Sequence, residues 1–136
     1  MNRTLVICKP DAVERGLVGE IVGRLERRGL RVVAAELRRI DQATAEQHYA
    51  EHEGKPFYQR LVAFTTRSPS MLLVVEGPED TWKVVRGLMG PTDPAQAPPG
   101  TIRGDLGTVT PENVVHGSDS AESAKREIDV FFPGLS

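Results

Sequence analysis

Two hydrophobic periods alternate along this chain, and the switches between them mark its elements. Thr4 to Cys8 is a continuous apolar run, the pattern of a central strand, and Lys9-Pro10-Asp11 ends it. From Val13 to Arg28 the apolar residues Leu17, Val18, Ile21, Val22 and Leu25 recur at helical spacing, which predicts an amphipathic helix stopped at Gly29. Leu30 to Ile40 is rich in β-branched and apolar residues and then alternates with charge, as a strand with one solvated side does. Two short helical stretches, about 43–52 and 57–66, flank Gly54-Lys55-Pro56 and read as a helical hairpin. Met71 to Val75 is a further strand, closed by Glu76-Gly77-Pro78, and Asp80 to Met89 is a helix packing Trp82, Val85 and Leu88 or Met89.

From Gly90 to Glu112 the periodicity stops, and five prolines make the stretch read as one long loop. A structureless segment above about 15 residues inside a compact domain is functional or disordered, and its place just before His116 favours function. Ser120 to Phe132 is the last helix, with Ser118 or Asp119 as the expected N-cap; Asp119 and Glu122 have capping-box spacing. The order βαβ(αα)βα-loop-βα predicts an α+β sandwich. Its simplest form is the ferredoxin-like fold, a four-stranded antiparallel sheet with helices packed on it.

Composition narrows the function only by exclusion. The 136 residues are enough for one domain with a sizeable core, spanning 1–136. A net charge of -2 gives no electrostatic case for dedicated nucleic-acid binding or a membrane surface, so any anion site depends on local placement. The single cysteine, Cys8, sits among apolar neighbours and reads as structural and buried, which fits a reducing compartment. With no signal-peptide pattern and no apolar run near 18 residues, the expected location is the cytoplasm.

The candidate chemistry centres on Asn113-Val114-Val115-His116-Gly117-Ser118-Asp119, where a histidine closes a β-branched run ahead of a helix start. A neutral imidazole is a good nucleophile at physiological pH, and the positive end of a following helix disfavours the protonated ring while attracting phosphate. Alone, such a histidine is more often an ordinary strand-end residue. Common alternatives are absent: Gly54-Lys55 lacks the earlier glycine of a P-loop, and Gly16, Gly19 and Gly23 do not form G-x-G-x-x-G. His48 and His52 lack the His-Glu-x-x-His arrangement of a zinc protease, and no G-x-S-x-G elbow exists. What remains is a set of cations in structured places, Lys9, Arg86 and Arg103, which together with His116 suggest phosphoryl transfer.

Five segments make the resemblance specific. They are Thr4 to Ala12, His48-Tyr49 through Phe57, Gly90-Pro91-Thr92-Asp93-Pro94, Gly100-Thr101-Ile102-Arg103-Gly104-Asp105, and Asn113 to Ser120 with Glu122-Ser123-Ala124 and Glu127-Ile128. Along essentially its whole length the chain resembles the nucleoside diphosphate kinases. That resemblance implies the ferredoxin-like fold and transfer of a γ-phosphate from nucleoside triphosphates to nucleoside diphosphates through a phosphohistidine. It also implies Mg2+ and a homo-oligomer, tetramer or hexamer.

Carried over by position, the resemblance makes His116 the phosphorylated nucleophile. It places Lys9, Arg86, Thr92, Arg103 and Asn113 on phosphates and ribose, and Phe57 on the base. Ser118 and Glu127 match residues that position the histidine, and Tyr49 a tyrosine near the phosphate site. Magnesium would be held chiefly by nucleotide phosphates and water, with Asp119 as a contributor through water. An aromatic face accepts any base, so broad base specificity follows from Phe57. The chain departs from the family pattern at Ser68, a usual glycine, at Leu106, a usual phenylalanine, and in one extra residue between Gly77 and Arg86. A non-catalytic relative would have lost the histidine or its cations, and a phosphohistidine carrier would need neither Phe57 nor Asn113; all are present.

Overall fold

The computed structural model describes residues 2–136. Four strands form one sheet in the order β2-β3-β1-β4: β1 Asn2–Cys8, β2 Arg31–Arg38, β3 Ser70–Gly77 and β4 Val115–Gly117. Every pairing is antiparallel. Seven α-helices accompany them: α1 Pro10–Glu14, α2 Val18–Arg27, α3 Gln42–His48, α4 Tyr58–Thr66, α5 Thr81–Met89, α6 Ile102–Leu106 and α7 Ala121–Phe131. This is the expected ferredoxin-like α+β sheet, with helices on both of its faces.

The two central strands explain why Thr4 to Cys8 reads as unbroken hydrophobicity. Val6, Cys8, Leu73 and Val75 point into a core with Ile21, Leu25, Val85 and Ile102. Leu5, Ile7, Leu72 and Val74 point the other way, onto Val62, Ile128 and Phe131. Alternate residues of each central strand therefore meet apolar partners, and neither face needs polar side chains. Cys8 is fully buried, and burial alone pushes its thiol up to about 12, so it is the expected structural cysteine.

The helix expected over 13–28 is instead two helices. Gly16 takes φ +71°, its N–H reaches the Val13 carbonyl, and the Leu17 N–H reaches back to Ala12 at 2.8 Å. This is a Schellman stop, which only a residue tolerant of the left-handed region accepts readily. Gly29, at φ +93°, repeats the device at the end of α2, where the stop was expected.

The stretch from 90 to 112 is also not structureless. Asp93 caps a 3-10 turn over Pro94–Gln96, and Thr101 Oγ1 accepts the Gly104 N–H to start α6. Short polar caps fold this segment despite its prolines. The α7 cap differs too: Ser120 is extended and its Oγ accepts the Ser123 N–H at 3.0 Å. Ser118 and Asp119 do not cap, because the first is turned to Glu127 and the second faces the cavity described below.

The departures from the family pattern are absorbed locally. Ser68 donates to Glu14 at 2.5 Å, and Leu106 packs against the core containing Ile102. Between Gly77 and Arg86, Asp80 takes the left-handed conformation ahead of α5.

Candidate active site

A cavity of about 490 Å³ opens where α3, α4, α5 and α6 meet β4. Its wall includes nine of the ten site residues expected from sequence: Lys9, Tyr49, Phe57, Arg86, Thr92, Arg103, Asn113, His116 and Glu127. Ser118 is the tenth and lies directly behind them, fully buried and bonded to Glu127.

His116 is the middle residue of β4, paired with Ile7 of the central strand. Its ring is positioned by Glu127, as the resemblance implied. Nε2 lies 2.8 Å from Glu127 Oε1, so the controlling partner is a carboxylate inside the helix. Strand and helix fold back side by side, which brings residues eleven apart in sequence into contact. Glu127 also accepts the Ser118 hydroxyl at 2.8 Å. Burial raises its pKa, but the hydrogen bond and charge of His116 outweigh this and hold it well below the ordinary carboxylate range. An ionised carboxylate only accepts, so Nε2 carries a proton, and a ring with that one proton has its lone pair on Nδ1.

The backbone that presents His116 is itself constrained. Val114 has φ +62°, a conformation that a β-branched residue rarely adopts. It is held there because its N–H donates to Asp11 Oδ2 at 3.2 Å and its carbonyl accepts from Lys9 N at 2.9 Å. Asp11 was not singled out by the sequence reading. Only its place after Lys9-Pro10 hinted at a turn role, and its carboxylate ties α1 to the nucleophile strand.

Three cations converge on the cavity. Lys9, directly after β1, is buried and donates to Asn113 Oδ1 at 2.8 Å. Burial, and then the charge of Arg103, lower its pKa to about 8 against the opposing pull of Asp11. Arg103 on α6 is buried and donates to the carbonyls of Asn113, Gly90 and Val115. Burial, and then the charge of Arg86, lower its pKa to about 10. Arg86 on α5 donates to the Gly117 carbonyl at 3.1 Å. Like charges gathered in a concave, partly dehydrated site make an anion receptor, since only an anion relieves their mutual repulsion.

The remaining residues form the frame and the mouth. Asn113 joins Lys9 to the Thr92 carbonyl, to which its amide donates at 2.8 Å. Tyr49 is buried, and burial pushes its phenol up to about 12, so it is a neutral hydroxyl. Phe57 is 46% exposed, which excludes the core role that its place after a proline turn allowed. Glu51, His52, Arg60 and Leu61 line the same region.

His48, weighed from sequence only as a partner of His52, lies instead edge-on to His116, with ring centroids 4.9 Å apart. Nothing in the sequence spacing signals that contact. As for magnesium, it takes oxygen ligands and keeps much of its water. Asp119 lines the cavity and forms no hydrogen bond or ion pair among the described residues, so a free carboxylate of the right type is available.

The sequence matches the family model described as nucleoside diphosphate kinase over residues 2–135. The chain belongs to the nucleoside diphosphate kinase family. It is 58% identical to the nucleoside diphosphate kinase of Parafrankia sp. (strain EAN1pec), covering 99% of this chain and 98% of that one. Identity to the Streptomyces griseus enzyme of the same name is 59%, again over 99% of this chain and 98% of the other. Two solved structures share the fold. The Halobacterium salinarum nucleoside diphosphate kinase in complex with CDP superposes with a TM-score of 0.93 at 50% identity, over 96% of this chain and 87% of that one. The Aquifex aeolicus nucleoside diphosphate kinase gives 0.94 at 42% identity, over 98% of this chain and 96% of that one. As a nucleoside diphosphate kinase the chain is a phosphotransferase acting between nucleotides. No helix among the described residues is long and apolar enough to cross a membrane.

Proposed function

We propose that this nucleoside diphosphate kinase works by a ping-pong mechanism in which His116 carries the phosphate. The observation that supports this best is the pairing of Nε2 with an ionised Glu127, which leaves the Nδ1 lone pair on a ring that lines the cation-rich cavity. In the first half-reaction Nδ1 attacks the γ-phosphorus, the bond to the β–γ bridging oxygen breaks, and the nucleoside diphosphate leaves. In the second, a terminal oxygen of the incoming diphosphate attacks the same phosphorus and the P–N bond breaks. Glu127 holds the Nε2 proton throughout, offsetting the positive charge that develops on the ring as Nδ1 forms its bond.

Lys9, Arg86 and Arg103 neutralise the transferring group, which is most of what phosphoryl transfer asks of a protein. Arg103 spends three N–H donors on backbone carbonyls and keeps two of its five for phosphate. Asn113 places Lys9 and retains one amide hydrogen for ribose. Thr92 and Tyr49 offer hydroxyls, and Ser118 orients Glu127. Mg2+ would be held chiefly by the nucleotide phosphates and water, with Asp119 reaching it through water, and would spread the triphosphate charge. Phe57, half-exposed at the mouth, stacks on the base and accepts purines and pyrimidines alike. A homo-oligomer, tetramer or hexamer, and a cytoplasmic location complete the reading. The exposed edge strand β2, with Leu37 55% exposed, is consistent with assembly.

Incubation with γ-labelled ATP tests the mechanism. The phosphoprotein should be stable in base and labile in acid, and a folded His116→Ala variant should neither label nor transfer. Substantial transfer by that variant would exclude His116 as the carrier. Steady-state kinetics with ADP, GDP, CDP, UDP and dTDP should fall within about two decades of one another, since stacking contributes about 1–3 kcal/mol to any base. Preference for one base by four decades would mean that Glu51, His52 or Arg60 reads a base edge.

A further inference from the structure

His48 presents a problem that phosphate transfer does not solve. Its ring is buried among Tyr49, His116 and Phe131, and neither ring nitrogen has a hydrogen-bond partner. A neutral imidazole has one nitrogen with a lone pair, and here no donor uses it. A buried polar group without a partner destabilises the fold, and such a group calls for an unseen water or ion. One ligand atom each from His48, His116 and Glu127 lies within 4.8 Å of the others.

We propose that His48, His116 and Glu127 form an inhibitory site for zinc. Two imidazoles and one carboxylate are a zinc ligand set, with the fourth position left to water on the cavity side. Zinc holds such ligands at about 2.0–2.2 Å, which sets them roughly 3.4 Å apart around the ion. Side-chain rotation would open the 2.8 Å separation of Nε2 and Oε1 by about 0.6 Å and close the others, at most 4.8 Å, to the same distance. Magnesium does not compete for the site, because imidazole nitrogen suits zinc and hard oxygen donors suit magnesium.

Zinc binding and phosphorylation exclude each other, a consequence that rests on His116 being the nucleophile. If the metal takes Nδ1, the lone pair is used directly. If it takes Nε2, the proton displaced from Nε2 moves to Nδ1, and the ring again has no free pair. Removal of zinc restores the original tautomer through Glu127.

The test is zinc binding to the nucleotide-free protein, followed by competition with a zinc dye and by the visible bands of cobalt substituted for zinc. We expect one metal per chain and tetrahedral cobalt bands. Binding should weaken at least about tenfold in His48→Phe, which keeps an edge-packed ring, and in Glu127→Gln. If His48→Phe does not fold, His48→Gln carries the same comparison. Zinc should inhibit wild-type transfer at a concentration at least tenfold below that needed for His48→Phe. Absence of binding, or equal binding and equal inhibition in wild type and the His48 variant, would overturn the site. Equal inhibition would mean zinc acts on the nucleotide. Because binding is read without nucleotide, its failure leaves the labelling test of His116 untouched, and the reverse also holds.

Discussion

At the scale of the residue, two charges decide how the site behaves with pH. Glu127 is ionised in the fold at pH values where a free glutamate begins to protonate. A depressed carboxylate stabilises the fold above its unfolded pKa, about 4.3, and that contribution fades as pH falls below it. Glu127→Gln should therefore flatten the acid limb of the stability curve below about pH 4.5, as read by thermal melts at successive pH values. It should also slow His116 phosphorylation by about ten- to a hundredfold, since the ring loses its charged orienting partner. An unchanged acid limb would mean the carboxylate is not held ionised by the ring.

Lys9 works in the opposite sense. Its folded pKa of about 8 lies below the unfolded value, so the buried charge costs stability at neutral pH, and stability recovers as pH rises from about 8 towards 10.5. A phosphate beside Lys9 restores its affinity for a proton. Binding of a nucleoside diphosphate near pH 8.5 should take up a fraction of a proton, visible as a dependence of calorimetric heat on buffer ionisation enthalpy. Lys9→Met should abolish the dependence; its persistence would place the titrating group elsewhere.

Legibility at this scale followed the locality of the signal. Lys9, Arg103 and His116 stand in short segments whose residue types carry the chemistry, so they could be named from sequence. Asp11 and His48 act across more than 60 residues of chain, on Val114 and His116, and spacing holds no trace of such contacts.

At the scale of the element, the segment between α5 and β4 shows what periodicity cannot see. Prolines and glycines in 90–112 suppress any helical or strand period, yet Asp93 and Thr101 nucleate turns through single side-chain caps. The folded segment then delivers Arg103 to the carbonyls of Gly90, Asn113 and Val115. Gly104 is the tightest point: an added Cβ would lie 2.0 Å from the Pro98 carbonyl oxygen, which is backbone and cannot step aside. Gly104→Ala should shift α6 and pull Arg103 from its acceptors. We expect a loss of at least about 1–3 kcal/mol in stability, the range for overpacking, and a larger fractional loss in turnover than in the melting temperature. Wild-type kinetics would show that Arg103 does not depend on this turn. The split of the first long helix has a similar cause, since one residue at φ +71° interrupts an apolar stripe that otherwise continues.

At the scale of the whole molecule, the sheet order follows from the apolar content of its strands. The β1 and β3 runs are apolar on both faces and take the centre, while the half-solvated β2 and the three-residue β4 take the edges. That arrangement was legible because two-sided burial leaves a plain mark in sequence. The short β4 was legible as the β-branched run that His116 closes, but not its place beside β1, which sets His116 opposite Ile7 and Val114 against Lys9. The molecule thus keeps three cations gathered at one sheet edge, with the charge of Arg103 lowering the pKa of Lys9 and that of Arg86 lowering Arg103. An anion that relieves the repulsion stabilises the folded state as a whole, by about 2.7 kcal/mol at a hundredfold excess over its dissociation constant. For a chain of 136 residues, at about 2.1 cal/mol/K of unfolding entropy per residue, this corresponds to roughly 9 °C in melting temperature. A saturating nucleoside diphosphate should therefore raise the melting temperature by that amount in low salt. The shift should shrink in Lys9→Met at the same nucleotide concentration, because the lost contact weakens binding. If the nucleotide raised both melting temperatures equally, its phosphates would not be seated on Lys9.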